Sequence, residues 1–227
     1  MGHPHEDRRL TGPAHLVRSD VMPELLMCTG LVRAGCVDGC LVTILQSRDD
    51  LVHLAATDDA VRTLVEVQFS HWEGAAPEVV DSGSPVVVDD VRAEHARWPL
   101  TTPLAAGLEP RALAVLPVRR RGTTVGVLAA HRVSTRTFDD ADLEDLVAFA
   151  GSLSVVVAGR VTGPDELVLP SSPIAMAVGM VMSRLGLGPD DALATIRAHA
   201  FTHERTVPSL AHDLVVGAVA PHELDDA

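Results

Sequence analysis

The sequence predicts an α+β fold in two parts: a mainly antiparallel sheet flanked by helices, followed by a small all-α bundle of three helices. Three observations lead there. Apolar runs rich in β-branched residues follow one another across tight turns, which suits hairpins and not the long crossovers of a parallel sheet. The segment TGPDELVLPSSP (162–173) holds three Pro and one Gly in twelve residues and divides the chain. Beyond it, three short helical patterns each carry one apolar stripe, and helices of that size close only as a small bundle.

Taken in order, residues 1–13 are polar with Pro and Gly breaks and read as a mobile tail. Leu16, Val17, Val21, Leu25, Leu26 and Leu31 recur at helical spacing and predict a helix within 14–34. GCLVTILQS (39–47) and LVHLAATD (51–58) predict two strands turned by Arg48, Asp49 and Asp50. Asp58 or Asp59 is placed to cap a helix carried by Val61, Leu64, Val65, Val67 and Phe69. EGAAPEVVDSGSP reads as a Gly- and Pro-bearing connection into a short strand, VVVDD (86–90). A loop with Arg97, Trp98 and Pro99 and a helical piece near 100–107 follow. RALAVLPVR and TTVGVLAAHR predict a second hairpin turned at Arg120, Arg121 and Gly122. The run 138–161 predicts a helix whose acidic first turn complements its dipole.

After the linker, one helix runs from about Ser172 to Leu185, with its stripe at Ile174, Ala177, Val178, Val181, Met182 and Leu185. A second starts at Pro189 and buries Ala192, Leu193, Ile196 and Ala200; a third starts at Val207-Pro208 and buries Leu210, Ala211, Leu214 and Val215. The expected organisation is a tail at 1–13, a sheet domain at 14–161, a linker at 162–171, a bundle at 172–220 and a tail at 221–227.

Composition bounds the function. Across 227 residues, 47% are hydrophobic, enough for a sizeable core, so global disorder is excluded. The formal charge of −13 argues against a protein whose whole surface binds nucleic acid or an anionic membrane, while leaving room for a local site. All 18 basic residues are Arg, and Lys, Asn and Tyr are absent; this is the mark of a GC-rich coding sequence, not of chemistry. Cys28, Cys36 and Cys40 are odd in number and clustered, which suits a reducing compartment. The N-terminal segment has no apolar signal region, and no apolar run approaches the roughly 18 residues of a membrane span. A soluble cytoplasmic protein is expected, with no membrane contact.

The residues PIAMAVGMVMSRLGLGPDDALATIRAHAFTHERTVPSLAHDLVVG (173–217) resemble the ANTAR domain, a three-helix module of RNA-directed transcription antitermination. The matching features are Ala177-x-Gly179, the Leu185-Gly186 break, Asp191-Ala192, Ile196-Arg197, Ala200, His203, Arg205 and Ala211. Upstream, Glu73-Gly74, SPVVVDDV, RWPL (97–100), ALAVLPVR and VGVLAAHR are similar, in that order, to the GAF domain found fused to ANTAR in bacterial regulators. The resemblance implies a GAF domain sensing an unknown small ligand or protein partner. It also implies an ANTAR bundle binding tandem hairpins in a nascent RNA, and a homodimer in which two bundles meet two hairpins.

Carried onto this chain, the candidate RNA-binding residues are Gly179, Arg184, Arg197, His203 and Arg205, and Trp98 is the candidate for the ligand-binding wall. Trp98 could equally fill the core. Glycine inside a helix costs about 1 kcal/mol relative to alanine, so Gly179 should have a reason. Close helix packing is expected, with close approach of an RNA backbone as the alternative.

Two departures open a second reading. Met176 and Val178 stand where ANTAR helices usually carry a Gln and a basic residue, and from Pro164 to Ala227 three Arg stand against nine acids, a net of −6. On that reading the bundle has lost RNA binding and is an interaction module. A third, enzymatic reading comes from a GAF family that reduces free methionine sulfoxide with cysteines. Here the cysteines lie near the first helix and strand and read as buried structural residues. His199 and His203 are spaced i, i+4, but no carboxylate or cysteine completes a metal set. No Ser-His-Asp motif and no phosphate-cradling Gly loop is present. No enzyme, metal or cofactor is expected.

Overall fold

The computed structural model describes residues 23–47, 50–159, 172–203 and 205–226. The predicted tail at 1–13, the Arg48-Asp49 turn and the linker 162–171 lie outside the described residues.

The sheet contains β1 (Gly39–Ser47), β2 (Asp50–Ala56), β3 (Val86–Val88), β4 (Ala112–Arg120) and β5 (Thr123–Arg132). Their order is β2-β1-β5-β4-β3, and every neighbouring pair is antiparallel. Side chains alternate across the pleat, so Cys40, Val42, Ile44, Ala114 and Leu116 face one side while Leu41, Leu113 and Val115 face the other. The first side is covered by α1 (Pro23–Arg33) and α5 (Asp140–Ala158), the second by α2 (Asp59–His71), α3 (Ala75–Ser82) and α4 (Thr101–Ala105). With both faces buried, a strand has no solvent side to mark with polar residues. For this reason the strands read as nearly unbroken apolar runs.

Helix α3 departs from the sequence reading, which treated 73–85 as a connection. Pro77 lies in its first turn, where the backbone N–H has no intrahelical partner, so proline there removes nothing. Asp58, not Asp59, caps α2: its Oδ1 accepts the Val61 N–H at 2.8 Å. On the opposite face Arg132, buried on β5, ties the sheet to α5 through Asp142 at 2.8 Å and lies 4.3 Å above the Phe138 ring.

The C-terminal bundle comprises α6 (Pro173–Leu185), α7 (Pro189–Thr202) and α8 (Val207–Val216). Each has proline in its first turn, and α6 and α8 end on left-handed Gly186 and Gly217. Ile174, Ala177 and Val181 meet Ala192, Ile196 and Ala200 and Leu210, Ala211 and Leu214 in a core separate from the two sheet cores. The sequence reads 221–227 as a tail; residues 221–226 instead form a 3₁₀ turn that drops Leu224 into this core.

Candidate nucleic-acid interface

The buried stripe decides what the bundle shows to solvent. With Ile174, Ala177 and Val181 inside, α6 turns outward Ala175, Met176, Gly179, Ser183 and Arg184. Arg184 is the single charged side chain on this helix and sits in its last turn, where the dipole favours a cation. At Gly179 an added Cβ would meet nothing within 4 Å, so the expected role in close helix packing is not met.

On α7, Arg197 and Phe201 are exposed one turn apart, Phe201 at 80%. Phe201 escaped the sequence reading because it follows the core residue Ala200; its position off the apolar stripe was the available signal. Arg197, Phe201 and Arg205 together line a cleft of about 550 Å³ whose other wall includes Ser70 and His71 of α2 and Leu104 of α4.

Arg205 is engaged within the bundle. Its guanidinium lies 2.6 Å from Asp213 Oδ2 and donates to Ser209 Oγ at 3.1 Å, bracing the α7–α8 turn. His203 stacks on His199 with ring centroids 4.0 Å apart, its Nδ1 2.9 Å from the His199 carbonyl. His199 is buried, and its Nδ1 has no hydrogen-bond partner. Burial, then the nearby His203 and Arg205 charges, hold its pKa below the ordinary histidine value. The structure thus brings Arg197 and Arg205 to one cleft, while Gly179, Arg184 and His203 are not among its lining residues.

A GAF domain model matches residues 28–157, more than half of the chain, and an ANTAR domain model matches residues 171–215. The chain is a GAF-family protein with a C-terminal ANTAR domain. No curated protein matches it. Among solved structures, it is similar to the GAF domain region of a Geobacter sulfurreducens PCA protein, at 18% identity and TM-score 0.50, over 59% of this chain and 89% of that one. The GAF domain of an Acinetobacter phosphoenolpyruvate-protein phosphotransferase matches at 22% identity and TM-score 0.48, over 62% and 84%. A type II free methionine-R-sulfoxide reductase from Thermoplasma acidophilum matches at 15% identity and TM-score 0.45, over 59% and 88%. At these identities the likeness speaks to the fold alone.

In the GAF domain the recognised motifs do structural work. The Glu73 carboxylate accepts the N–H groups of Leu100 and Thr101 at 2.7 and 2.8 Å, and the Thr101 hydroxyl donates to the Glu73 carbonyl at 2.7 Å. Glu78 accepts the Trp98 indole N–H at 2.8 Å and pairs with Arg97, whose guanidinium lies 4.8 Å from the Trp98 ring centroid. Trp98 is 2% exposed and fills the core beneath α2–α4; neither interdomain cleft reaches it. In the same layer Gln68 Nε2 and Thr102 Oγ1 are buried without a hydrogen-bond partner.

Cys28 and Cys40 are buried side by side between α1 and β1, and Cys36 is half-buried. The Cys28 sulfur, then burial, push the Cys40 thiol up, opposite to the lowering that makes a reactive thiolate. Among the described residues no group of three or more His, Cys, Asp or Glu could hold a metal ion, and no helix is long and apolar enough to cross a membrane.

Proposed function

We propose that this protein is a cytoplasmic, non-enzymatic regulator whose ANTAR bundle binds tandem RNA hairpins to control transcription antitermination, with the GAF domain sensing a small ligand or partner. The observation that carries this reading is the ANTAR match over a bundle that leaves Arg197 exposed on α7. An exposed guanidinium supplies a forked, permanently charged donor for RNA phosphate or base edges. The GAF match over residues 28–157 supports the sensing part of the reading. The reading includes pairing of two chains, because two linked bundles on two hairpins multiply weak single contacts through effective concentration. Val147 and Val155, exposed on α5, offer an apolar seam for that pairing.

A second reading has its own observation. The exposed face of α6 carries no charge before Arg184, with Met176 46% exposed, which suits a protein surface better than a phosphate backbone. Fluorescence anisotropy with a tandem-hairpin RNA and a single-hairpin control, at roughly 50 and 200 mM salt, separates the two. Saturable binding that needs both hairpins and weakens with salt supports the RNA regulator. No binding at the lower salt supports the interaction module.

A further inference from the structure

The bundle meets the GAF domain through the caps of two helices. Ser172, the N-cap of α6, donates its hydroxyl proton to the Asp50 carboxylate at the start of β2, and Thr206, the N-cap of α8, donates to Glu66 Oε2 on α2 at 2.9 Å. Two clefts of about 770 and 550 Å³ open beside these contacts. Both volumes fall within the roughly 300–1,000 Å³ of small-molecule sites. Their chemistry differs. In the larger cleft charges answer one another: Arg62 lies 2.9 Å from Asp59, Arg205 lies 2.6 Å from Asp213, and His53 lies 3.2 Å from Glu66. A charged ligand gains little from groups that already hold a partner.

The smaller cleft is built otherwise. Its floor is apolar: Val67 and Phe69 of α2, Ile174 of α6 and Ala200 of α7 are buried in the fold and line the cavity. Its lips are apolar too, and they come from different domains. Leu104 on α4 is 52% exposed and Phe201 on α7 is 80% exposed. Large apolar side chains left in water at the mouth of a cavity give a ligand body surface to bury. Among the described residues Glu66 is the one acid in the lining, and both its oxygens are engaged, Oε1 by His53 and Oε2 by Thr206. The lining arginines are Arg197 and Arg205. Arg205 is committed to Asp213, while Arg197 is exposed one turn from Phe201.

The geometry points to the smaller cleft as a binding site for a small organic anion with an aromatic body, held between the two domains. The rings of Phe69 and Phe201 offer surfaces for an aromatic body to pack on, and the Arg197 guanidinium takes a carboxylate or sulfonate through its forked donors. The site lies outside the GAF core in which Trp98 is packed, and it is incomplete without the bundle, because each domain supplies one lip. It stands on the cleft and not on the RNA reading, and its test uses no RNA, so the two fail separately.

The probe is anilinonaphthalene sulfonate, an aromatic anion whose fluorescence rises in apolar surroundings, titrated onto the full-length protein beside phenylnaphthylamine, an uncharged aromatic counterpart. Saturable binding of one sulfonate per chain is expected. Phe201→Ala and Leu104→Ala are each expected to weaken both probes by about threefold or more. Arg197→Ala is expected to weaken the sulfonate by about tenfold and to leave the amine unchanged. All three side chains are exposed, so these changes spare the core, and thermal melts check it. Ser70→Trp, which fills the cleft from an exposed position on α2, is expected to block both probes and serves if a lip variant unfolds. No saturable sulfonate binding overturns the site. Binding that ignores either lip, or survives Ser70→Trp, places the probe elsewhere and overturns it as well. An Arg197→Ala protein that treats both probes alike overturns the anionic class.

Discussion

His131 Nε2 lies 3.2 Å from Asp58 Oδ2, and the pair closes over a residue that has no side chain, Gly39. Asp58 also accepts the Val61 N–H, so one carboxylate caps α2 and pins it to β5. Burial pushes the Asp58 pKa up, but the Val61 and His131 bonds outweigh it and the net shift is downward. A Cβ at residue 39 would stand 1.9 Å from Asp58 Oδ2 and 2.5 Å from His131 Nε2. Gly39→Ala is therefore expected to destabilise the GAF domain by about 1–3 kcal/mol, the usual cost of forcing atoms into a packed site. Urea denaturation checks this; an unchanged midpoint would show that the pair moves aside freely.

Gly179 presents the reverse case. Nothing stands within 4 Å of the position its Cβ would take, so the fold itself gains from a side chain there. Gly179→Ala is expected to stabilise the bundle by about 1 kcal/mol through helix propensity. If α6 approaches an RNA backbone at this residue, the same change weakens RNA binding. A thermal melt and an anisotropy titration of one preparation check both, and a gain in stability with unchanged affinity would remove Gly179 from the interface.

Arg197→Ala and Arg205→Ala set the proposed RNA contact against the observed brace to Asp213. Arg205 is half-buried and holds Asp213 at 2.6 Å, so Arg205→Ala is expected to cost about 1 kcal/mol of bundle stability, less than a fully buried charged hydrogen bond. Arg197 is exposed, and Arg197→Ala is expected to change stability by less than about 0.5 kcal/mol while weakening RNA binding and flattening its salt dependence. Equal losses of affinity in both variants, matched by equal losses of stability, would count against Arg197 as a contact.

Most of the fold was legible because the strands and helices carry their own periods. The runs at 39–47, 112–120 and 123–132 each hold a long apolar stretch, and the stripes of α6, α7 and α8 hold to helical spacing. Helix α3 was hidden because Pro77 and Gly74 signal a turn locally, and only their places at the helix start make them harmless. The site was half legible. Sequence reasoning picked out Arg197 and Arg205, which the fold brings to one cleft, yet charge and spacing could not show that Arg205 is committed to Asp213, eight residues on. Nor could they show that Ser172 and Thr206 cap helices and meet carboxylates 122 and 140 residues away in the chain.

His199 makes the bundle sensitive to mild acid. Burial, then the His203 and Arg205 charges, lower its folded pKa, with Glu223 opposing. Its unfolded pKa is about 6.5. Between the two values the unfolded chain binds more protons than the folded one, so stability rises with pH across that window. The stabilisation is complete above about 6.5 and is lost as pH falls towards the folded value. Asp90 beside Arg111 and Asp142 beside Arg132 are also held down, but from an ordinary carboxylate value near 4, so their contributions are lost only at more acid pH. Thermal melts of the full-length protein and of His199→Gln between roughly pH 5 and 8 isolate the effect. The parent is expected to lose stability below about pH 6.5 and the variant to follow a flatter curve; parallel curves would move the acid sensitivity to another group.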